Sequence, residues 1–85
     1  MNMKIVPDTS ILVDGKLSEL AKKGEIDGKV IIPEFVVDEL ENQANEGLEI
    51  GYTGIEEIKT VRQLGERKGF DVVFKGRKPT QEEIE

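Results

Sequence analysis

The chain has 85 residues, no cysteine and a net charge of −6 from 12 basic and 18 acidic side chains. This length suffices for one small domain or part of one, and the lack of cysteine excludes disulfides and thiolate metal sites as a supplement to a small core. The acidic balance argues against a protein that binds nucleic acid by itself, because such proteins carry a basic excess. No apolar run is long enough for a signal peptide or a membrane span, so we expect a cytoplasmic protein without a membrane partner.

The N-terminal part of the chain predicts a strand, a helix and a second strand. Residues 4–6 and 29–32 are short β-branched apolar runs, which are typical of buried parallel strands. Between them, residues 17–24 predict a short helix that Ser18 caps and Gly24 ends.

The middle of the chain predicts two helices. Pro33 ends the second strand and opens a helix over residues 34–45. A loop is expected at residues 51–53, where Thr53 and Glu56 have the T-x-x-E spacing of a capping box. The apolar stripes of the two helices consist of Val36, Val37, Leu40 and Ala44 in the first and of Ile55, Ile58, Val61 and Leu64 in the second.

A third strand is predicted at residues 70–75, after a helix stop at Gly69, which completes the order β-α-β-α-α-β. Strands that alternate with helices predict an α/β fold with a parallel sheet. Thr80 and Glu83 repeat the capping-box spacing just before the sequence ends. We therefore expect residues 1–85 to be the N-terminal part of a single domain, cut where its next helix begins; a frayed tail is the alternative.

Asp8 is the first candidate for chemistry, because it follows the first strand closely. In open α/β sheets, ligands bind beyond the carboxyl ends of the strands. If the strand continues through Ser10, the side chains of Asp8 and Ser10 point to one side and that of Thr9 to the other. Asp8 is equally suited to cap a helical turn that starts at Thr9, and this stretch alone leaves the two interpretations open.

Glu39 is the second candidate and lies one and a half turns into the helix after the second strand. It borders the buried stripe, and Gln43 lies on the same side one turn later. A right-handed crossover can bring this helix, and with it Glu39, towards Asp8. Two carboxylates with a hydroxyl between them form an oxygen-rich site suited to Mg²⁺ or Mn²⁺. A solvated surface role for Glu39 stays open.

The third set of candidates is basic and lies in the C-terminal half. These side chains can line a path for a nucleic-acid backbone, although a helix end and a solvated loop explain the same charges. They are Arg67, Lys68, Lys75, Arg77 and Lys78.

Three segments of the sequence resemble the PIN domain family, and within it the PIN domain of archaeal PIN–ATPase–KH proteins. They are VPDTSILVDGKL at residues 6–17, VIIPEFVVDELE at residues 30–41 and NQANEGLEIGYTGIEE at residues 42–57. The Asp-Thr-Ser motif alone is unspecific, but its combination with the other two segments is specific. The resemblance covers essentially the whole chain.

The resemblance implies a parallel-sheet, three-layer PIN-like fold with an acidic nuclease site that uses Mg²⁺ or Mn²⁺ to cleave RNA. Asp8 matches the first family acid and Glu39 the second, both as metal ligands, and Ser10 matches a hydroxyl residue that supports the site by hydrogen bonding. Thr9 and Gln43 are further supporting candidates. In the subgroup, a ring-forming ATPase and a KH domain accompany the PIN domain, and binding of RNA or single-stranded nucleic acid is expected through the parent protein.

The chain departs from the family pattern in one respect. Family members have a third acid, and often a fourth, in the part of the domain that follows the position of Glu85, together with two more strands. We therefore expect about three strands, weak metal binding and at most feeble activity. We also expect self-association through the unpaired edge of the first strand or through an uncovered apolar face.

Two other functions are alternatives to the nuclease. One is a catalytically inactive PIN-like interaction or regulatory module of a multidomain, nucleic-acid-associated ATPase, which the sequence does not separate from the enzyme. The other is a phosphoacceptor receiver domain, which fits the order of elements but requires an Asp in the middle of the third strand, whereas Asp71 opens that strand.

Overall fold

The computed structural model describes residues 3–76, so the predicted helix start at Thr80 and Glu83 lies outside the described residues. The strands and helices follow one another in a regular α/β pattern. They are β1 (Met3–Ile5), α1 (Thr9–Val13), α2 (Lys16–Lys22), β2 (Gly28–Pro33), α3 (Glu34–Asn45), α4 (Glu49–Lys68) and β3 (Asp71–Lys75).

The three strands form one parallel sheet in the order β1-β2-β3, with β2 in the middle. Ile5, Val30 and Val72 are register partners across the sheet; Val30 belongs to the buried core, and the partly buried Ile5 and Val72 pack against it. The predicted α/β class and the predicted strand positions are confirmed, with strand ends shifted by at most one residue. All three carboxyl ends lie at the same edge of the sheet because the strands are parallel.

The helices cover the sheet face that carries Val30 and Ile32, both of which are fully buried. Ile31, which lies between them on β2, and its register partner Val73 are only half-buried, because alternate strand residues point to opposite faces. Helix α4 packs against the other three helices and against β3. Its buried side chains include Ile58, Val61 and Leu64, as the apolar stripe predicts.

Helix α4 starts at Glu49, so the predicted loop at residues 51–53 and the capping box of Thr53 and Glu56 are wrong. Glycine is a poor helix former, and residues 51 and 54 of this segment are glycines. Both Gly51 and Gly54 are buried inside the helix, where they let α4 approach α3 closely. A Cβ atom on Gly54 would lie 2.5 Å from a methyl group of Leu40. Close packing therefore explains glycines that the sequence pattern assigns to a turn.

The predicted cap of α2 is also wrong, because Ser18 lies inside the helix and not before it. The N-cap is Gly15, whose φ of 74° suits glycine and whose lack of a side chain leaves no local cap. A distant carboxylate takes this role: Glu57 Oε2 accepts a hydrogen bond of 2.7 Å from the backbone N–H of Ser18. Glu57 is only 8% exposed, so α4 supplies a buried cap to α2.

Among the helices of residues 3–76, none is both long and apolar enough to cross a membrane.

Candidate functional site

Asp8 lies in the connection between β1 and α1 and caps the helix. Its backbone is extended, with φ −98° and ψ 179°, and its Oδ1 atom accepts a 3.0 Å hydrogen bond from the N–H of Ile11. The strand does not continue through Ser10, because β1 ends at Ile5 and the chain turns helical at Thr9. The capping interpretation of Asp8 is confirmed. The carboxylate is nevertheless exposed, and Oδ2 makes no hydrogen bond within residues 3–76.

Glu39 projects from α3 and is joined to the same turn. Thr9 Oγ1 donates a 2.8 Å hydrogen bond to Glu39 Oε1, across 30 positions of sequence. Helix α3 begins directly after β2, the strand that pairs with β1, so its second turn lies near the carboxyl end of β1. The fold thus brings Glu39 to the residue that follows Asp8. Glu39 Oε2 has no hydrogen bond to any described residue.

Of the two supporting candidates that remain, Gln43 is half-buried and lies one turn beyond Glu39 on α3. Its Oε1 atom is buried and has no hydrogen-bond partner within the described residues. A buried amide oxygen without a partner is unusual, and it adds a hard oxygen atom on the side of α3 that carries Glu39. The Ser10 side chain is exposed, and its hydroxyl makes no hydrogen bond within residues 3–76. In this structure the hydroxyl that contacts a carboxylate belongs to Thr9 and not to Ser10.

The donor set at this place consists of hard oxygen atoms. Mg²⁺ is commonly held by one or two carboxylates, with water and substrate phosphates completing the octahedron. Asp8 and Glu39 suit such an ion, and neither forms an ion pair with a basic residue of the described chain. No group of three or more acidic, histidine or cysteine side chains within residues 3–76 is arranged to hold a metal ion. The site thus offers two carboxylates from this part of the chain.

The basic candidates do not lie together. Arg67 and Lys68 are in the last turn of α4, close to where β3 begins, whereas Lys75 is at the end of β3. A strand of five residues separates these places by about 13 Å. Lys68 Nζ donates to the carbonyl oxygen of Lys22 at 3.2 Å, which gives it a structural contact. Arg77 and Lys78 lie outside the described residues.

The elements thus form a parallel α/β fold with an acidic site at the carboxyl end of its first strand. No protein-family model matches the chain. Curated relatives do match it. The uncharacterized KH and PIN-domain containing protein MJ1533 of Methanocaldococcus jannaschii is 45% identical over 82 residues. The uncharacterized PIN and TRAM-domain containing protein TTHA0540 of Thermus thermophilus is 32% identical over 75 residues. The PIN and TRAM-domain protein YacL of Bacillus subtilis is 26% identical over 78 residues.

These alignments include most of this chain but a small part of each relative. They cover 95%, 84% and 92% of the chain, and 13%, 22% and 18% of MJ1533, TTHA0540 and YacL. A solved structure, described as a domain of a functionally unknown protein from M. jannaschii, superposes with a TM-score of 0.83 at 45% identity. This match covers 95% of the chain and 59% of that structure.

The names of the three relatives share only the PIN domain, since one adds a KH domain and two add a TRAM domain. A chain that aligns with all three is therefore homologous to PIN-domain proteins. The family resemblance predicted from the sequence is confirmed, as is the fold class.

The sequence does not reveal two long-range contacts, the bond from Thr9 to Glu39 in the candidate site and the bond from Ser18 to Glu57 between α2 and α4. Both join residues at least 30 positions apart. The capping-box motif at Thr53 predicts a capping role for Glu56, whereas the buried acid that caps a helix is its neighbour Glu57. An acidic residue next to the apolar stripe position Ile58 was the available signal.

Proposed function

We propose that this chain contributes the first two carboxylates of a PIN-type nuclease site that hydrolyses RNA phosphodiester bonds with Mg²⁺ or Mn²⁺. The observation that carries the proposal is the convergence of Asp8 and Glu39 on one turn at the carboxyl end of β1, through the Thr9 hydrogen bond. Homology to PIN-domain proteins supports the reaction class.

In this proposal the two carboxylates hold the ion through the oxygen atoms that make no protein hydrogen bond, Asp8 Oδ2 and Glu39 Oε2. A divalent ion at such a site lowers the pKa of bound water and neutralises charge on the phosphate. The cap on α1 orients the Asp8 carboxylate, and the Glu39 carboxylate accepts a hydrogen bond from Thr9. Neither acid is paired with a described basic residue, so their negative charge is available to a cation.

Recognition of the polyanion requires help from elsewhere, because the chain has a net charge of −6. The M. jannaschii relative is named for a KH domain in addition to its PIN domain. We propose that a nucleic-acid-binding domain of this kind, together with an ATPase domain, accompanies the chain in its parent protein. The bound metal ion then supplies the local positive charge that the phosphate needs.

Binding of Mn²⁺ tests the site without requiring turnover. We expect Asp8→Asn and Glu39→Gln each to weaken Mn²⁺ binding at least about tenfold, measured by electron paramagnetic resonance of the free ion, because each removes a charged ligand. Glu41→Gln makes the same chemical change at an exposed position of α3 and should leave binding unchanged. Cleavage of labelled single-stranded RNA in Mn²⁺ should fall with the first two variants only. Mn²⁺ binding that is absent, or equal in all four proteins, would refute the proposal.

An inactive interaction module is the second candidate, and exposed apolar side chains favour it. Val6 and Phe35 are 60% and 62% exposed, at the edge of the sheet where the site lies, and Tyr52 is 57% exposed. A purely structural module predicts no Mn²⁺ binding that depends on Asp8 or Glu39, so the same titration separates the two functions.

A further inference from the structure

Thr9 directly follows one acid of the candidate site, Asp8, and contacts the other, Glu39. Thr9 is the first residue of α1, directly after the capping residue Asp8, and it is half-buried. Its hydroxyl donates to Glu39 at 2.8 Å. We propose that Thr9 is a positioning residue that fixes the Glu39 carboxylate for a divalent cation, an inference that rests on the proposed function.

The pattern of hydrogen bonds gives the two carboxylates the same arrangement. In each, one oxygen atom accepts a hydrogen bond from the turn at residues 8–11: Asp8 Oδ1 from the N–H of Ile11, and Glu39 Oε1 from the hydroxyl of Thr9. The other oxygen of each makes no hydrogen bond within residues 3–76. One short turn therefore holds both carboxylates by one oxygen and leaves the second available to a metal ion.

This restraint of the carboxylate matters most for Glu39, because the Glu39 side chain is exposed and has three rotatable bonds. Without an anchor, such a side chain samples many rotamers, and each ligation event must first select one of them. The hydrogen bond from the Thr9 hydroxyl restricts the rotamers of Glu39 before the ion binds. Hydrogen bonds of this kind to metal-binding carboxylates commonly change metal affinity by about 10- to 100-fold.

The position of the hydroxyl distinguishes Thr9 from its neighbour. Ser10 has the same functional group, but its side chain is exposed and makes no hydrogen bond to any described residue. The helical turn of α1, which the Asp8 cap starts, directs Thr9 and not Ser10 towards α3. The capping role of Asp8 and the positioning role of Thr9 are therefore parts of one local structure.

The experiment removes the hydroxyl with little change of shape. Thr9→Val should weaken Mn²⁺ binding by about 10- to 100-fold in an electron paramagnetic resonance titration, because Glu39 loses its donor. Thr9→Ser keeps the hydroxyl and should bind within about threefold of the unchanged protein, since a serine hydroxyl offers the same donor. Thr9→Ala is a second variant without the hydroxyl and should match Thr9→Val, which guards against an effect of the valine side chain itself.

A matched control comes from α4. Thr60 is also half-buried, and its hydroxyl donates at 3.0 Å, but to the backbone carbonyl of Glu56. Thr60→Val removes an equivalent hydrogen bond away from the two acids and should leave Mn²⁺ affinity unchanged. Urea unfolding in the presence of EDTA should show that the Thr9 variants are folded under the conditions of the titration.

The outcomes separate this inference from the proposed function. If Asp8→Asn weakens Mn²⁺ binding but Thr9→Val and Thr9→Ala do not, the positioning role is refuted and the metal site stands. If Thr9→Ser binds as weakly as Thr9→Val, the hydroxyl is not the cause and the inference is likewise refuted. If Asp8→Asn leaves Mn²⁺ binding unchanged, the proposed metal site itself is refuted, and with it the positioning role of Thr9. A loss in the two hydroxyl-free variants that serine restores, with Thr60→Val unchanged, supports the inference.

Discussion

Replacing Glu57 by alanine is expected to destabilise the protein by about 1–4 kcal/mol. The Glu57 carboxylate is buried and accepts a 2.7 Å hydrogen bond from the N–H of Ser18 in the first turn of α2. Its removal leaves a buried donor without a partner, which costs about 1–3 kcal/mol. It also removes a negative charge from a helix N-terminus, where such charges contribute about 0.3–1 kcal/mol. Gly15, the N-cap, has no side chain that can replace the lost acceptor.

The measurement is urea unfolding followed by circular dichroism at neutral pH, and the neighbouring acid supplies the control. Glu56 is exposed, and its contact with Lys59 at 3.6 Å is a surface ion pair. Such pairs contribute about 0–1 kcal/mol, so Glu56→Ala should change stability little. Glu57→Gln keeps an acceptor oxygen and should fall between Glu57→Ala and the unchanged protein. Equal stability of Glu56→Ala and Glu57→Ala would refute the reasoning that Glu57 acts as a distant cap.

Two further predictions concern helix packing and assembly. Gly51→Ala and Gly54→Ala should both destabilise the fold in thermal unfolding, by about 1–3 kcal/mol for Gly54 and by more for Gly51. This loss is expected although alanine forms helices better than glycine by about 1 kcal/mol. A Cβ on Gly51 would meet backbone atoms of α3, whereas a Cβ on Gly54 would meet the more adaptable Leu40 side chain, so the reverse ranking would contradict this account of the α3–α4 contact. Self-association remains expected, because β1 pairs only with β2 among the described residues and Ile31 and Val73 are incompletely buried. Light scattering over a dilution series that shows only particles of 9.5 kDa would contradict it.

The elements that could be predicted from the sequence are those whose signals are local. Helix α3 begins and ends as predicted, at Glu34 and Asn45, because Pro33 and the apolar stripe define it without reference to the rest of the chain. The predicted start of α4 is wrong because Gly51 and Gly54 permit a close contact with α3 that the local sequence does not reveal. The caps follow the same rule. Gly69 ends α4 as predicted, with φ at 91°, whereas the cap on α2 comes from Glu57, 39 positions away.

The candidate site shows the same division between local and distant information. The Asp-Thr-Ser motif and the position of Glu39 sufficed to select the two acids, since both follow strands that end at the same edge of the sheet. The conformation of residues 8–10, strand or helix, determines which hydroxyl contacts which acid. In the structure Asp8 caps a helix that starts at Thr9, and the Thr9 hydroxyl, not that of Ser10, contacts Glu39. The sequence therefore indicated the acids but not the residue that holds one of them.

The two interpretations of Asp8 that the sequence left open are compatible. A carboxylate has two oxygen atoms with about four acceptor positions in all, and the cap on α1 uses one of them. The cap fixes the plane of the carboxylate, so the free oxygen has a defined direction before any ion is bound. Asparagine caps helices about as well as aspartate but carries no charge. Asp8→Asn should therefore preserve the stability of the protein while it removes the charge that a cation needs. Asp8→Ala removes both, so its loss of stability, relative to Asp8→Asn, measures the cap alone.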